Sequence, residues 1–423
     1  MGITFLRYNS DHLQRLGALK MLVAVLDSQR RSTAPEGIMR KLTPLVCGRV
    51  EGDQTRAEYL IRRAESPSWN FRFTEVNIKQ ILEWARLAGL VGTGNQITER
   101  GLLLRHLMGE EAVSSIQSGD LNFNPFDLTA AEKLYFLYLH CEIDSCLYFL
   151  LKRIAGLPSD EMIRGMQANR TTCFALYDLF RLMAESRNSS KVLLSLKGLR
   201  ELIGRMVFEL ELSAEIPIAR VVKPRSATAF KQKPEQRDKK RTKTSDQEAI
   251  PRFELLVDLG LLTKKVRAED SDEEKARKSW RYWPTTALAA LASKLPEAFD
   301  PEFCWNQFAR CASTLVSENA VVLDPVKNAP AIAQRAYTGF TKVKRRFGHT
   351  PVESVGIMTM ISSLTDSEII EVKDVHALFL GFKRDDLFSG SVHYAAGNDL
   401  EKMFIDIKPE FLNELENQYA TRD

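Results

Sequence analysis

The sequence predicts a mainly α protein in which small β-hairpins are set around a central helical bundle. Three observations predict it. A pattern of glycine-stopped amphipathic helix, short apolar strand, polar turn, return strand and Thr-started helix occurs twice, from Phe73 to Leu107 and from about Ile250 to Leu295. Between Asp127 and about Leu212 apolar residues are dense and fall at helical spacing. The N-terminal part carries a stripe, Leu13, Leu16, Leu19, Leu22, Val23 and Leu26, whose three- and four-residue steps fit one buried helix face.

Size and composition bound the rest. A chain of 423 residues exceeds one ordinary hydrophobic core, so two to four domains are expected. A hydrophobic share of 44% with 27% charged residues is that of a soluble globular protein. No apolar run reaches the roughly 18 to 20 residues needed to span a bilayer, and Arg7, Asp11, His12 and Arg15 interrupt any secretory signal, so no membrane partner and a cytoplasmic location are expected. The six cysteines (Cys47, Cys141, Cys146, Cys173, Cys304, Cys311) include no CxxC pair and the six histidines are scattered. Buried reduced thiols are therefore expected, with no metal, cofactor or disulfide framework. Only His140, Cys141 and Cys146 cluster, at a spacing that fits no standard ligand set.

Taken in order, the N-terminal stripe is followed by a weaker helix over 36–46, a polar stretch around 48–53 and a helix through Tyr59, Leu60 and Ile61. The first repeat opens with Thr74 as N-cap, Glu75 at the positive helix end, and Phe73 with Ile78 placed as a hydrophobic staple. Ile78, Ile81, Leu82 and Ala85 form its core stripe, and Gly89 stops it. Leu90 and Val91, the turn 92–95, then Gln96 and Ile97 make a hairpin before Thr98 caps a helix to Leu107. Four helices are expected over 130–140, 143–155, 172–185 and 191–209. In the second repeat Phe253, Leu256 and Val257 form the helix stripe, Gly260 the stop, 261–266 and 280–283 the strands, and Thr285 the cap. Further helices are expected over 302–317, 329–347 and 351–363. The stretch 366–381 reads as either helix or strand; 388–408 reads as a hairpin turning at Gly397 and Asn398, and Pro409 opens a final helix to Tyr419. The expected divisions are 1–115, a bundle at 125–215, a basic disordered linker at 216–247, a second module at 248–298, and a C-terminal domain at 299–423 whose helix, hairpin and helix suggest a third, degenerate copy.

The strings ARLAGLVGTGNQITERGLLL and LVDLGLLTKKV with WRYWPTTALAAL resemble the second half of winged helix-turn-helix domains. The resemblance covers about 35 to 45 residues per copy of a large superfamily and speaks to fold before function. It implies that the helix before the first wing strand enters a DNA groove and that the wing touches phosphate. By position, the first module offers Asn77, Lys79, Gln80 and Arg86 with Thr93 and Asn95 of the wing; the second offers Arg252 with Lys264, Lys265, Arg267, Lys275, Arg277, Lys278 and Arg281. The first wing holds no Lys or Arg, and the second is acidic at its tip (Glu269, Asp270, Asp272, Glu273, Glu274).

Charge distribution adds a sharper signal than the net charge of +4. Arg220, Lys223, Arg225, Lys231, Lys233, Arg237, Lys239, Lys240, Arg241 and Lys243 are opposed only by Glu235 and Asp238, which suits a tether that tracks phosphates. Lys342, Lys344, Arg345 and Arg346 form a second cluster at a helix end.

These features predict a non-catalytic, DNA-binding component of a larger protein–DNA assembly, in regulation, DNA maintenance or anti-phage defence, with duplex DNA and other subunits or a second copy as partners. One alternative is a scaffold, because winged helix, bundle, linker and winged helix look like the order in kleisin-type subunits that bridge chromosome-organising ATPases. A further alternative is a nuclease. Ile369-Ile370-Glu371-Val372-Lys373 and Phe404-Ile405-Asp406-Ile407-Lys408 resemble the strand (D/E)xK half of metal-dependent PD-(D/E)xK nucleases, with Asp366, Asp386 or Asp399 as the imperfect acidic partner. No phosphate loop, strand-associated GxGxxG, HExxH or GxSxG string occurs.

Overall fold

A computed structural model describes residues 3–6, 15–27, 35, 37–38, 75–120, 123–157, 163–185, 202, 249–265, 281–317, 319–344, 350–394 and 403–420. The chain is mainly helical, and its strands are two to four residues long.

The first unit contains α1 (Leu16–Asp27), α2 (Glu75–Leu87), an antiparallel bridge between Val91 and Ile97, and α3 (Glu99–Ser118). The expected stripe makes α1 a helix, but tertiary packing buries it all round, from Leu16 to Leu26. Gly17 admits Phe126: a Cβ there would lie 2.6 Å from the ring. The bundle follows with α4 (Ala130–Ile143) and α5 (Ser145–Ala155), bent by 111° at Asp144. Thr129 and Glu132 close a reciprocal cap at the start of α4, satisfying N–H groups that a helix end leaves open.

The second unit is assembled from distant parts of the chain. Strand β1 (Ile163–Arg164) runs into α6 (Gly165–Glu185); α7 (249–258), β2 (Leu262–Lys265) and β3 (Arg281–Pro284) come after the basic segment. Their antiparallel sheet has the order β1-β3-β2, with Ile163 opposite Tyr282. The sheet thus joins Ile163–Arg164, within the stretch read as a bundle, to strands within the stretch read as a second module.

The third unit follows α8 (Thr286–Lys294), α9 (Phe303–Asn306) and α10 (Phe308–Ala312). It runs β4 (Val321–Val322), α11 (Ala329–Val343), β5 (Thr350–Pro351), α12 (Val352–Thr365), β6 (Glu368–Ile369), α13 (Val372–Arg384), β7 (Val392–Tyr394), β8 (Phe404–Ile407) and α14 (Phe411–Ala420). Strands β4 and β6 pair in parallel, and β5-β8-β7 form a second antiparallel sheet. The ambiguous 366–381 stretch thus holds a short strand and then a helix. The hairpin expected over 388–408 is formed by β7 and β8, and its turn lies outside the described residues.

One cluster of buried apolar side chains runs through all three units. Ion pairs cross it where units meet: Lys20 with Glu132 at 2.8 Å, both almost fully buried, and Arg15 with Asp258 at 2.5 Å. Arg100 bridges Glu142 of α4 and Glu353 of α12, each at 2.8 Å. Such pairs fix how the units seat, because removing one partner strands a charge away from water.

Candidate nucleic-acid interface

The two helix-hairpin-helix copies share the hydrogen bonds of their helix stops and threonine caps. At the end of α2, Gly89 (φ +69°) donates to Arg86 O at 3.0 Å and Leu90 to Ala85 O at 2.8 Å. At the end of α7, Gly260 (φ +76°) donates to Val257 O at 2.9 Å and Leu261 to Leu256 O at 2.9 Å. Both are the glycine-terminated helix end in which a left-handed residue turns the chain back. The N–H of Thr98 then donates to Leu90 O, and that of Thr285 to Leu261 O, both at 3.1 Å. The Thr98 hydroxyl donates to Gly89 O and the Thr285 hydroxyl to Gly260 O, while each oxygen accepts an N–H from its own helix, Gly101 or Leu288. Each threonine therefore caps one helix and pins it to the stop of another. Gly101 is required by this contact, because a Cβ there would lie 2.2 Å from Leu90 O.

On α2, Lys79 and Arg86 are exposed and Gln80 is half-buried, so they share an accessible side of the helix. Arg86 Nη2 donates to Asn95 Oδ1 at 2.6 Å, tying the helix to the wing. Asn77 lies in α2 and Lys265 in β2, but the side chains of both fall outside the described residues, as do Lys231, Lys233, Lys239, Lys240, Arg241, Arg267, Lys275, Arg277, Lys278, Arg345 and Arg346. Arg281 is half-buried on β3. Lys344 is exposed, 3.5 Å from Asp406.

Two cations of the second module are engaged within the protein. Arg252 does not face a groove: it is fully buried, with Nε donating to Asp144 Oδ2 at 2.8 Å and Nη2 to Leu6 O at 2.8 Å, beside the Phe5 ring. Lys264 is half-buried, with its ammonium 2.5 Å from Glu254. Burial alone would raise the Glu254 carboxyl, but Lys264 and the Tyr282 hydroxyl outweigh it and hold it below its ordinary value. With Pro251, Phe253, Leu255 and Leu256 also buried, α7 has little surface to offer. Helix α13 differs, since Lys373, Ala377 and Arg384 are exposed along it.

The nuclease strings also sit differently from expectation. Strand β6 ends before Glu371, which is the N-cap of α13; its carboxylate accepts the N–H of Ala309 at 2.9 Å and of Arg310 at 3.0 Å, and so closes the start of α10 as well. Burial pushes that carboxyl up to about 7 against the pull of these bonds. Lys373 follows on a helix instead of a strand, while Asp406 on β8 faces Lys344. Asp366 is engaged by Arg335, and no group of three His, Cys, Asp or Glu among the described residues is placed to hold a metal ion.

His140 is a core residue. Its Nδ1 bonds to Phe136 O at 2.7 Å and its Nε2 accepts the Trp84 indole N–H at 3.1 Å, while burial holds the imidazole down to about 4. The neighbouring thiols of Cys141 and Cys146 are buried. Compared with known proteins, the chain matches no family model, no curated sequence and no solved structure.

Proposed function

We propose that the chain is a DNA-binding component of a larger protein–DNA assembly, built from winged-helix units that share one core. The observation that carries this reading is the repeated sheet order. In α5-β1-α6-α7-β2-β3 and in α11-β5-α12-β6-α13-β7-β8, a helix leads to the first strand, helices follow, and the last strand pairs between two others; the second series differs by β6, which pairs with β4. This order supports a winged helix-turn-helix reading, as does the first unit with the same helix stop and cap. The basic segment is inserted between α6 and α7 of the second unit. Since α7 is buried, contact with DNA falls to the ten cations of Arg220 to Lys243, to Lys79, Gln80 and Arg86 of α2, and to α13.

The test is fluorescence anisotropy of the full chain on a labelled duplex across a salt series. Binding that weakens steeply with salt supports the reading; none at low salt, or binding indifferent to salt, contradicts it. The kleisin-like scaffold is a second reading, favoured by the burial of α7 and the exposed valines of β4. It predicts that an ATPase partner is retained in pull-downs after nuclease treatment.

A further inference from the structure

Arg100 serves two carboxylates with one nitrogen. Its Nη2 lies 2.8 Å from Glu142 Oε1 of α4 and 2.8 Å from Glu353 Oε1 of α12, so three charged groups join the first unit, the bundle and the third unit. Glu142 is the least exposed of them, at 11%, against 24% for Glu353 and 25% for Arg100. Two negative charges thus share one positive charge, and no other Lys, Arg or His among the described residues pairs with either carboxylate.

The other groups that face this joint do not balance its charge. On α4, the Tyr135 hydroxyl is spent on Arg100 O at 2.7 Å; the Tyr138 hydroxyl and Glu142 Oε2, one helical turn apart, are buried with no hydrogen-bond partner among the described residues. From α9 the Cys304 thiol donates to Tyr138 O at 3.6 Å. Burial pushes both phenols and this thiol up, so all three stay neutral. The chain's terminal amine is the weakest influence on Glu142. Like charges that share a site do not ionise independently: one of them takes up a proton more readily than it would alone. Burial acts on Glu142 in the same direction, and with the repulsion of Glu353 it outweighs the pull of Arg100, holding the carboxyl above its ordinary value.

We propose that Glu142 and Glu353 take up one proton between them, and that this proton sets how firmly α12 is seated on α3 and α4. The proton goes to Glu142 Oε2, which has no other partner, while Oε1 stays with Arg100 and Glu353 remains the counter-charge of the guanidinium. The joint then holds one positive and one negative charge. Because the carboxyl is raised, this stabilisation is present below its ordinary value of 4.5 and is lost as pH rises through the folded-state value. The inference does not depend on DNA binding or on the winged-helix reading.

The test is hydrogen exchange of the full chain from about pH 4.5 to 8, read by mass spectrometry on peptides of α3 and α12 and corrected for the intrinsic pH dependence of amide exchange. Opening of the joint is expected to rise with pH by up to about tenfold per unit, the limit for one proton. Glu142→Gln fixes the neutral form, so it stays closed at high pH and loses this dependence; Glu371 titrates in the same range, and this variant separates the two contributions. Glu353→Gln removes the repulsion and moves the dependence to lower pH. Carboxyl carbon-13 NMR of the parent, the Glu142 signal being the one lost in Glu142→Gln, is expected to give a midpoint above 4.5. The proposal is overturned by exchange at the joint that ignores pH, by a dependence that survives Glu142→Gln or is unmoved by Glu353→Gln, by a Glu142→Gln chain that is unseated or unfolded, or by a midpoint at or below the ordinary value.

Discussion

Replacing Arg252 with Met separates a structural role from a groove-reading one. The guanidinium and the Asp144 carboxylate are 0% and 1% exposed, and they meet at 2.8 Å and 3.3 Å. With Arg252 gone, the carboxylate keeps only a 3.4 Å bond from the Leu6 N–H. Breaking a buried pair from one side costs about 3–5 kcal/mol, because the remaining charge stays desolvated. Removing both charges, with Asp144→Leu added, takes away the stranded ion; the double variant loses less than the sum of the singles by about 2 kcal/mol or more. Urea unfolding of the four proteins by circular dichroism measures the cycle, and anisotropy on duplex DNA below the transition measures binding. The reasoning is refuted if Arg252→Met costs less than about 1 kcal/mol, if the two losses simply add, or if the folded variant loses DNA affinity.

Gly101→Ala forces a Cβ to within 2.2 Å of Leu90 O and 2.6 Å of Ile97 Cγ2, so it lowers stability by about 1–3 kcal/mol in thermal melts, and a neutral outcome contradicts the packing of α3 on its hairpin. His140 and His376, both buried, respond in opposite ways: His140→Leu leaves the Trp84 indole N–H without its acceptor and destabilises by about 1–3 kcal/mol, whereas His376→Leu removes ring nitrogens that make no hydrogen bond and is neutral or stabilising. Burial holds His376 down to about 3, so its contribution is present above the ordinary value near 6.5 and lost as pH falls toward 3; His376→Leu flattens that acid limb in urea titrations. Glu371 has the reverse sign: its carboxyl is raised to about 7, so its linked stability is present below the ordinary 4.5 and lost as pH rises through 7, and Glu371→Ala removes this dependence while costing about 2 kcal/mol as a lost cap.

The parts of the fold legible in the sequence are those written locally. Gly89 and Gly260 mark both helix stops, and Thr98 and Thr285 both caps, because a left-handed backbone and a side-chain acceptor are demands met by few residue types. What escaped was non-local. Strand β1 is two residues long, and its partner β3 lies beyond the basic segment, so no period announces that α5 and α6 belong to the second unit. Arg252 reads as a surface cation by residue type, yet it occupies the stripe of Ala249, Phe253 and Leu256, and its counter-charge is 108 positions away. The run from Ile369 to Lys373 reads as a strand by its apolar residues, yet Glu371 and Asp374 carry the three-residue spacing of a reciprocal cap. Of the candidate site, the exposure of Lys79 and Arg86 on α2 was legible from helical spacing, whereas the pairing of Lys264 with Glu254 depends on the folded hairpin.

The most direct test compares the salt dependence of duplex binding for the full chain and for a variant with Lys231, Lys233, Lys239, Lys240 and Arg241 replaced by glutamine. Each phosphate contact contributes about 0.9 to the slope of log K against log salt. The account predicts steep salt dependence for the parent chain and a slope smaller by about 4 for the variant. Equal slopes for the two proteins, or no binding by the parent at low salt, contradict it.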